Sequence, residues 1–208
     1  MTRRHALLGG AVIFSLAFLL LAWIAHDPSL AGADRGVQAL VQSQRSAMLE
    51  RPMQIVTRVG AGYVSIPLSI LIVVLLARRH RYLAMFFAAV SAGGHLLSPV
   101  AKWLVARPRP KLSPYGFPSG HTIASVVVFG ALMYAAAVLI RRPAPRWLAI
   151  AACGAVIVVV SYSRLYLNSH WATDVAGGLT GGAAIVLLGI AWKEKRAAVS
   201  AASRAATS

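Results

Sequence analysis

The sequence predicts an all-α, polytopic membrane protein with six transmembrane helices. Of its 208 residues, 58% are hydrophobic and only 12% are charged, and the mean hydropathy of +0.69 is too high for an ordinary soluble domain. Apolar segments of about 20 residues recur along the chain and are separated by short basic turns. The formal net charge of +16 resides in these turns and forms no basic module, so we expect no nucleic-acid partner.

The first predicted span covers residues 7–25, an uncharged stretch long enough to cross the hydrocarbon core as a helix. Two arginines before it and small residues at positions 31–33 also fit a cleaved signal peptide. Because the apolar run is longer than the h-region of a signal peptide, we favour an uncleaved membrane anchor.

A polar connection follows at residues 26–58, which is the first outer loop. Five of its apolar residues fall near one helical face and predict an amphipathic helix lying along the membrane interface: Val37, Leu40, Val41, Met48 and Leu49. Such a helix would either shape the access of lipid to a site or merely cover the bundle, and the sequence leaves both open.

The remaining spans are predicted at residues 59–77, 82–101, 123–140, 147–162 and 175–192. Pro67 is tolerable in the second span because neighbouring helices can satisfy the freed carbonyl. The sixth span carries two overlapping G-x-x-x-G patterns, which predict tight helix packing, at Gly177, Gly178, Gly181 and Gly182. These spans form one six-helix domain over residues 1–196, and the small, polar and basic tail at 197–208 is expected to be disordered.

Six spans place both termini on one side of the membrane, together with the basic turns at residues 78–81 and 141–146. Because cytoplasmic loops carry an excess of Lys and Arg, we expect both termini in the cytoplasm and the protein in the inner membrane of a bacterial cell. The two polar motif segments, near residues 102–121 and 163–174, then share the outer, periplasmic face.

These two segments contain the donors of a phosphate-binding site. Ser119 and Gly120 open the fourth span, where the backbone N–H groups of a helix N-terminus attract anions. Arginine binds phosphate through two parallel hydrogen bonds, whereas lysine acts as a point charge. The predicted phosphate-binding residues are Lys102, Arg109, Ser119, Gly120 and Arg164.

Three further residues supply chemistry. His170 and Asp174 are four residues apart, so on a helix they share a face. The carboxylate of Asp174 would hold one ring nitrogen of His170 and leave the other free to attack phosphorus, which makes His170 the predicted nucleophile. His121 is placed to protonate the leaving oxygen and later to activate water.

We expect no metal ion and no cofactor. The chain has five acidic residues, and Asp174 is the only one near the predicted site, whereas magnesium or two-metal phosphatases need several oxygen ligands. Two histidines and one aspartate could hold zinc in principle, but the three surrounding cations argue against it.

Two polar residues lie within predicted spans. His95 has no motif around it, so it is either a substrate contact or a hydrogen-bonded packing residue. Cys153 is the only cysteine, which excludes a disulfide within one chain.

Three segments resemble, in order and spacing, the signature of the type 2 phosphatidic acid phosphatase superfamily, which includes bacterial lipid phosphate phosphatases. They are Lys102-x6-Arg109-Pro110, Pro118-Ser119-Gly120-His121 and Ser163-Arg164-x5-His170-x3-Asp174. The resemblance implies that His170 is the phosphorylated nucleophile, that Asp174 supports it and that His121 is the general acid. It also implies that the five donors named above bind phosphate.

The residues and the resemblance together predict a lipid phosphatase. It would remove the terminal phosphate from a membrane lipid phosphate or diphosphate, without a metal, through a phosphohistidine. Undecaprenyl diphosphate is slightly favoured, and phosphatidylglycerophosphate, phosphatidate and lipid A phosphates are alternatives. Two other functions stay open, which are phosphotransfer to an acceptor lipid and transport of an anionic lipid. The near absence of charge within the spans argues against transport, and the oligomeric state is not predicted.

Overall fold

A computed structural model describes residues 3–111 and 114–205 of the chain. Within these residues the fold is all-helical, as predicted, with α-helices joined by short turns and loops. The helices are α1 Arg3–Ile24, α2 Pro28–Ser43, α3 Ala47–Thr57, α4 Gly62–Ala77, α5 Arg81–Val105, α6 Gly120–Leu139, α7 Pro143–Tyr166 and α8 Ala172–Ala205.

Five helices of the described residues are long and apolar enough to cross a membrane, namely α1, α5, α6, α7 and residues 172–196 of α8. The predicted second span differs, because α4 has 16 residues and measures about 24 Å at 1.5 Å per residue. A 3₁₀ turn, Arg58–Gly60, joins α3 to α4 with a bend of 49°, and this bent pair gives a sixth span only if it counts as one. Pro67 lies inside α4 without ending it, as predicted.

The segment predicted as one amphipathic helix folds as two, α2 and α3. Asp34, Gln38 and Val41 are its buried side chains, whereas Val37 and Leu40 are exposed. The face of α2 that packs on the protein is therefore largely polar. The physical reason is that this face meets polar groups. The Gln38 Nε2 amide donates to the carbonyl of Leu165 at 2.9 Å. Leu165 lies in the last turn of α7, where helical carbonyls lack partners within the helix.

Helix α6 occupies the centre of the bundle and packs against α5, α7 and α8. The largest apolar cluster lies among α5, α6 and α8, with Phe86, Phe87 and Val127 fully buried. This cluster holds α6 and α8 in fixed register. Their neighbouring ends carry the second motif, Pro118-Ser119-Gly120-His121, and the His170 and Asp174 part of the third motif.

The glycine face of α8 permits its close approach to α6, which confirms the packing predicted from the G-x-x-x-G patterns. A Cβ atom at Gly178 would lie 2.7 Å from Thr122 Cβ and 2.9 Å from the carbonyl oxygen of Ser119. A Cβ atom at Gly177 would lie 2.3 Å from the Phe117 ring. Only a residue without a side chain fits at these two positions, directly beside the second motif.

The C-terminal segment is helical over most of its length. Helix α8 continues to Ala205, and residues 206–208 lie outside the described residues. The segment is rich in alanine, which has the highest helix propensity of all residues, so a preceding helix extends through it at little cost.

Candidate active site

The predicted site residues converge at one end of the bundle. Lys102 lies in the last turn of α5, and Arg164 lies in the last turn of α7. Ser119 caps the N-terminus of α6, and Gly120 and His121 begin that helix. His170 lies in the loop before α8 and Asp174 in the first turn of α8. Because α5 and α7 end where α6 and α8 begin, the three motifs meet although they are far apart in the sequence.

A backbone hydrogen bond joins the second and third motifs. The Ser119 N–H donates to the carbonyl of Asp174 at 2.9 Å. The Ser119 hydroxyl oxygen accepts a hydrogen bond from the hydroxyl of Thr122 at 3.0 Å and caps α6 by accepting from the Thr122 N–H. Both Ser119 and Asp174 are fully buried, so these bonds fix the start of α6 against the start of α8.

His170 and Asp174 form the pair that their spacing predicts. His170 Nδ1 lies 3.3 Å from Asp174 Oδ2, which also accepts the Trp171 backbone N–H at 3.0 Å. With its proton on Nδ1, the imidazole presents an unprotonated Nε2. Burial lowers the pKa of His170 to about 4, although the hydrogen bond to Asp174 acts in the opposite direction. The ring is therefore neutral at pH 7, which is the form that can act as a nucleophile.

The three predicted phosphate-binding cations lie close to this pair. Lys102 Nζ donates to the carbonyls of Tyr115 and Pro118, each at 2.8 Å, and Arg109 Nε and Nη2 approach the same Tyr115 carbonyl at 3.4 Å. Arg164 is buried, and its Nη1 donates to the Thr57 hydroxyl.

The positive charge of these residues is not neutralised by ion pairs. Within the described residues, none of Lys102, Arg109 and Arg164 forms a salt bridge. The Nε of Arg164 is buried and has no hydrogen-bond partner in this part of the chain. A buried donor without an acceptor is costly, and an anion bound between these side chains would supply one.

His121 belongs to the same cluster. Its partly buried ring interacts electrostatically with Arg164, His170, Lys102 and Arg109. The structure thus brings all eight predicted site residues together, with the two histidines and the three cations within electrostatic reach of one another.

Two charged residues of the site were not predicted from the sequence, namely Arg107 and Asp34. Arg107 donates from Nη1 to Asp174 Oδ1 at 3.0 Å and from Nη2 to Asp34 Oδ2 at 2.6 Å. All three side chains are at most 6% exposed. Asp34 also accepts from the Thr173 N–H and hydroxyl at 3.0 and 2.8 Å.

The sequence gives only a weak signal for these two residues and does not pair them. Arg107 stands two residues before the motif arginine, in the run Arg107-Pro108-Arg109-Pro110. Asp34 is one of only five acidic residues in the chain, and a buried acid requires a cationic partner. Neither residue lies at a motif position, so spacing alone could not assign them to the site.

The structure bears on two questions that the sequence leaves open. Within the segment at residues 26–58, Asp34 and Thr57 contact site residues, so this segment does more than cover the bundle. His95 instead lines an apolar groove of about 470 Å³ between α4 and α5, with Ile66 and Ile70.

The described residues contain no cluster of three or more His, Cys, Asp or Glu side chains that could hold a metal ion. Asp174 is the carboxylate that contacts His170, and its oxygens already accept hydrogen bonds from Arg107, His170 and Trp171. The arrangement can hold an anion, place a neutral imidazole beside it and offer a second imidazole for proton transfer.

Comparison with known proteins places this site in a family context. Residues 81–198 match the model of the PAP2 superfamily. Phosphatidylglycerophosphatase B of Bacillus subtilis is 27% identical over 192 residues, which cover 86% of this chain and 93% of that protein. An undecaprenyl-diphosphatase of Sulfolobus acidocaldarius is 28% identical over 164 residues, which cover 73% of this chain and 74% of that protein.

Solved structures show the same fold. The transmembrane PAP2-type phosphatidylglycerolphosphate phosphatase of Bacillus subtilis superposes with a TM-score of 0.81 at 27% identity, covering 89% of this chain and 96% of that one. Aquifex aeolicus LpxE superposes with a TM-score of 0.60 at 18% identity, covering 74% of this chain and 93% of that one. At this identity the second likeness concerns the fold alone.

Proposed function

The chain belongs to the PAP2 superfamily, and from this premise we propose that it hydrolyses the terminal phosphate of a membrane lipid phosphate or diphosphate. The observation that supports this most directly is the neutral His170, held by Asp174, beside three cations that lack carboxylate partners among the described residues. A phosphoryl transition state spreads negative charge over its equatorial oxygens, and such cations stabilise it. The relatives named above are phosphatases.

In the first half of the proposed reaction, His170 Nε2 attacks phosphorus. A nitrogen–phosphorus bond forms while the phosphorus–oxygen bond to the lipid breaks, and His121, in its imidazolium form, transfers a proton to the departing oxygen and becomes neutral. The donors that bind the phosphoryl group are Lys102, Arg109, Ser119, Gly120 and Arg164. Asp174 keeps the proton of His170 on Nδ1, so Nε2 carries the lone pair that attacks.

In the second half, water hydrolyses the phosphohistidine. His121, now unprotonated, removes a proton from water as the oxygen bonds to phosphorus and the bond to Nε2 breaks. Inorganic phosphate leaves, and both histidines return to their starting state. Proton transfer by one positioned side chain in such steps typically contributes about 10²- to 10⁴-fold to the rate.

The proposed setting is a bacterial cell membrane. We place six spans in it, with α3 and α4 acting together as a broken second span and α2 lying at the interface. The termini and the turn between α4 and α5 then lie in the cytoplasm, where positive charges accumulate. The active site faces the outer side and meets lipid headgroups there.

The substrate class follows from this setting and from the relatives. We propose a terminal phosphate, because donors on several sides would bind its free oxygens, and a lipid carrier in the outer leaflet, because the proposed site faces that side. Undecaprenyl diphosphate and phosphatidylglycerophosphate are the two substrates to compare first, since the relatives carry the names undecaprenyl-diphosphatase and phosphatidylglycerophosphatase.

The test is phosphate release by the purified protein in detergent with EDTA present. The panel contains undecaprenyl diphosphate, phosphatidylglycerophosphate, phosphatidate and lipid A, and each is offered to the wild type and to His170→Ala. We expect release from at least one lipid that persists in EDTA and falls by at least about 10⁴-fold in the variant. Release that EDTA abolishes, or that His170→Ala retains, would contradict the proposal.

A second variant separates the roles of the two histidines. With substrate carrying ³²P in its terminal phosphate, His121→Asn keeps the nucleophile and should still label the protein, more slowly than the wild type because the general acid is gone. It should also lose that label slowly, because the general base is gone. His170→Ala should take up no label. Label that appears instead in an acceptor lipid would indicate phosphotransfer rather than hydrolysis.

A further inference from the structure

Keeping Asp174 charged costs free energy, because its side chain is fully buried. Taking a carboxylate out of water is costly unless a cation and hydrogen bonds compensate for the lost hydration. Its Oδ2 accepts from the His170 ring and the Trp171 N–H. Its Oδ1 accepts from Arg107 at 3.0 Å, and Arg107 is the cation paired with it in the described residues.

Arg107 is itself held by a second carboxylate from another helix. Its Nη2 donates to Asp34 Oδ2 in α2, and Asp34 is anchored to α8 by the N–H and hydroxyl of Thr173. The guanidinium thus bridges two buried carboxylates, and its planar fork fixes where both lie. Thr173 is adjacent to Asp174 in the sequence, so the network closes on the start of α8.

The contacts of Arg107 distinguish it from the phosphate-binding cations. Both terminal nitrogens of Arg107 are occupied by carboxylates. Among the described residues, Lys102 and Arg109 donate their hydrogen bonds to backbone carbonyls of the loop at residues 115–118. A neutral carbonyl competes with phosphate for these donors less strongly than a carboxylate does. Arg107 is therefore engaged with Asp174 and Asp34 rather than available to substrate.

From this geometry we propose that Arg107 and Asp34 are positioning residues for the nucleophile: Asp34 orients Arg107, Arg107 orients the Asp174 carboxylate, and Asp174 orients His170. The proposal rests on the proposed phosphatase function. It assigns to α2 an indirect part in the reaction, because Asp34, where this network begins, lies in α2.

The test compares Arg107→Met, Asp34→Asn and the double variant, with Arg35→Met as a matched control. Arg35 is the exposed neighbour of Asp34. The substrate is a soluble short-chain phosphate monoester, so that lipid access plays no part. The measurements are kcat, KM, the single-turnover rate of phosphohistidine formation and the Tm in detergent.

Arg107→Met leaves two buried carboxylates without their cation, so Asp174 moves and His170 loses its orientation. We expect kcat and the rate of phosphohistidine formation to fall by about 10²-fold, since a misplacement of about 1 Å costs that much. We expect KM to change by less than about threefold. Asp34→Asn keeps the Arg107–Asp174 pair and should lower kcat by about tenfold, and Arg35→Met should stay within about twofold of the wild type.

The double variant removes the charges of Arg107 and Asp34 together. Asp174 then lacks its cation, but no second unpaired carboxylate lies beside it. We expect its kcat to be no lower than that of Arg107→Met, because Asp34 acts only through Arg107. A kcat reduced by the product of the two single effects would overturn the proposal. So would an Arg107→Met variant with raised KM and unchanged kcat, which is the behaviour of a substrate-binding residue.

The design also separates this proposal from the function on which it rests. Phosphate release by the wild type that is lost in His170→Ala supports the function whatever the Arg107 variants do. If the Tm shows that Arg107→Met does not fold, Asp34→Asn decides the matter: a lowered kcat at unchanged KM supports the network, and wild-type kcat overturns it. Absence of release by the wild type would overturn both.

Discussion

At the scale of single residues, burial gives His170 its chemical character. The side chain is 2% exposed, and the loss of hydration disfavours the imidazolium more than the hydrogen bond to Asp174 favours it. A surface histidine would be partly protonated near pH 6.5. The fold therefore maintains a neutral ring in a site crowded with cations, whose repulsion acts in the same direction as burial.

This neutrality makes the folded protein sensitive to acid. The pKa of His170 is lowered from 6.5 to about 4, so between these values the unfolded chain binds a proton that the folded chain does not. Stability is then lost as the pH falls through this range, by at most about 3 kcal/mol from this residue. We expect the Tm of the wild type in detergent to fall more steeply from pH 7 to pH 5 than that of His170→Gln.

The matched variant makes this prediction specific, because the other histidines are common to both proteins. Parallel Tm curves for the wild type and His170→Gln would show that His170 is already protonated, or exposed, in the folded state.

The residues of the cluster differ in how readily they can be predicted from the sequence. Lys102, Ser119, His170 and the other motif residues have fixed spacing, and the structure places all of them at one end of the bundle. Arg107 and Asp34 form their ion pair across 73 residues of sequence. No local pattern encodes such a contact, because the tertiary fold alone brings α2 next to the loop after α5.

At the scale of secondary-structure elements, the contact between α6 and α8 determines the geometry of the site. Gly178 faces the Ser119 carbonyl and Thr122, so the backbone of the α6 N-terminus lies directly against α8. In the interior of a helix glycine normally costs about 0.5–1 kcal/mol relative to alanine. Glycine is nevertheless required at position 178, because a side chain there would separate the second and third motifs.

We therefore expect two Gly→Ala changes in spanning helices to differ in their effects on kcat and Tm. Gly178→Ala places a methyl group 2.9 Å from a backbone oxygen that cannot move freely, so kcat should fall by about tenfold or more and the Tm should fall as well. Gly154→Ala, in α7, meets no atom within 4 Å and should leave kcat within about twofold and the Tm unchanged or raised. Both are measured on purified protein with the soluble phosphate ester.

If Gly178→Ala behaved like Gly154→Ala, the close contact between α6 and α8 would not control the site. The two variants add the same methyl group, so a difference between them reflects position rather than composition.

The helices themselves follow from hydropathy, and the structure gives each of the six predicted segments a helix. The predicted second span is the exception in length, because the chain bends at Gly60, where a Cβ atom would lie 2.7 Å from the carbonyl oxygen of His121. The first outer loop is the other exception. Its buried face carries Asp34 and Gln38, whose partners lie in α7 and α8, and apolar periodicity cannot identify a face that packs through hydrogen bonds.

At the scale of the whole molecule, charge and hydropathy together determine the proposed orientation. The turn between α4 and α5 is strongly basic, with Arg78, Arg79 and Arg81, and the loop after α5 holds the site. These two segments lie at opposite ends of α5, a helix long enough to span a membrane, so they must face opposite sides if α5 crosses the bilayer.

Cysteine labelling tests this orientation. In a Cys153→Ala background, which removes the only native cysteine, single cysteines replace Arg79 and Lys111, both of which are exposed. We expect a membrane-impermeant maleimide to label Lys111→Cys in right-side-out vesicles and Arg79→Cys in inside-out vesicles. The reverse pattern would place the site in the cytoplasm, and labelling of both in one preparation would show that α5 does not span.

The bonds between α2 and the C-terminal third of the chain also have a consequence for biogenesis. Asp34 pairs with Thr173 across 139 residues, and Gln42 donates to the Leu165 and Tyr166 carbonyls across more than 120 residues. The N-terminal helices leave the ribosome long before these partners are made, and closing so long a loop is slow. A nascent chain inserted only as far as α6 holds Lys102, Arg109 and Ser119 but lacks Arg164 and His170. In the proposed mechanism, hydrolysis therefore begins only once α8, which carries Asp174, has joined the bundle, so activity would indicate that the chain is fully assembled.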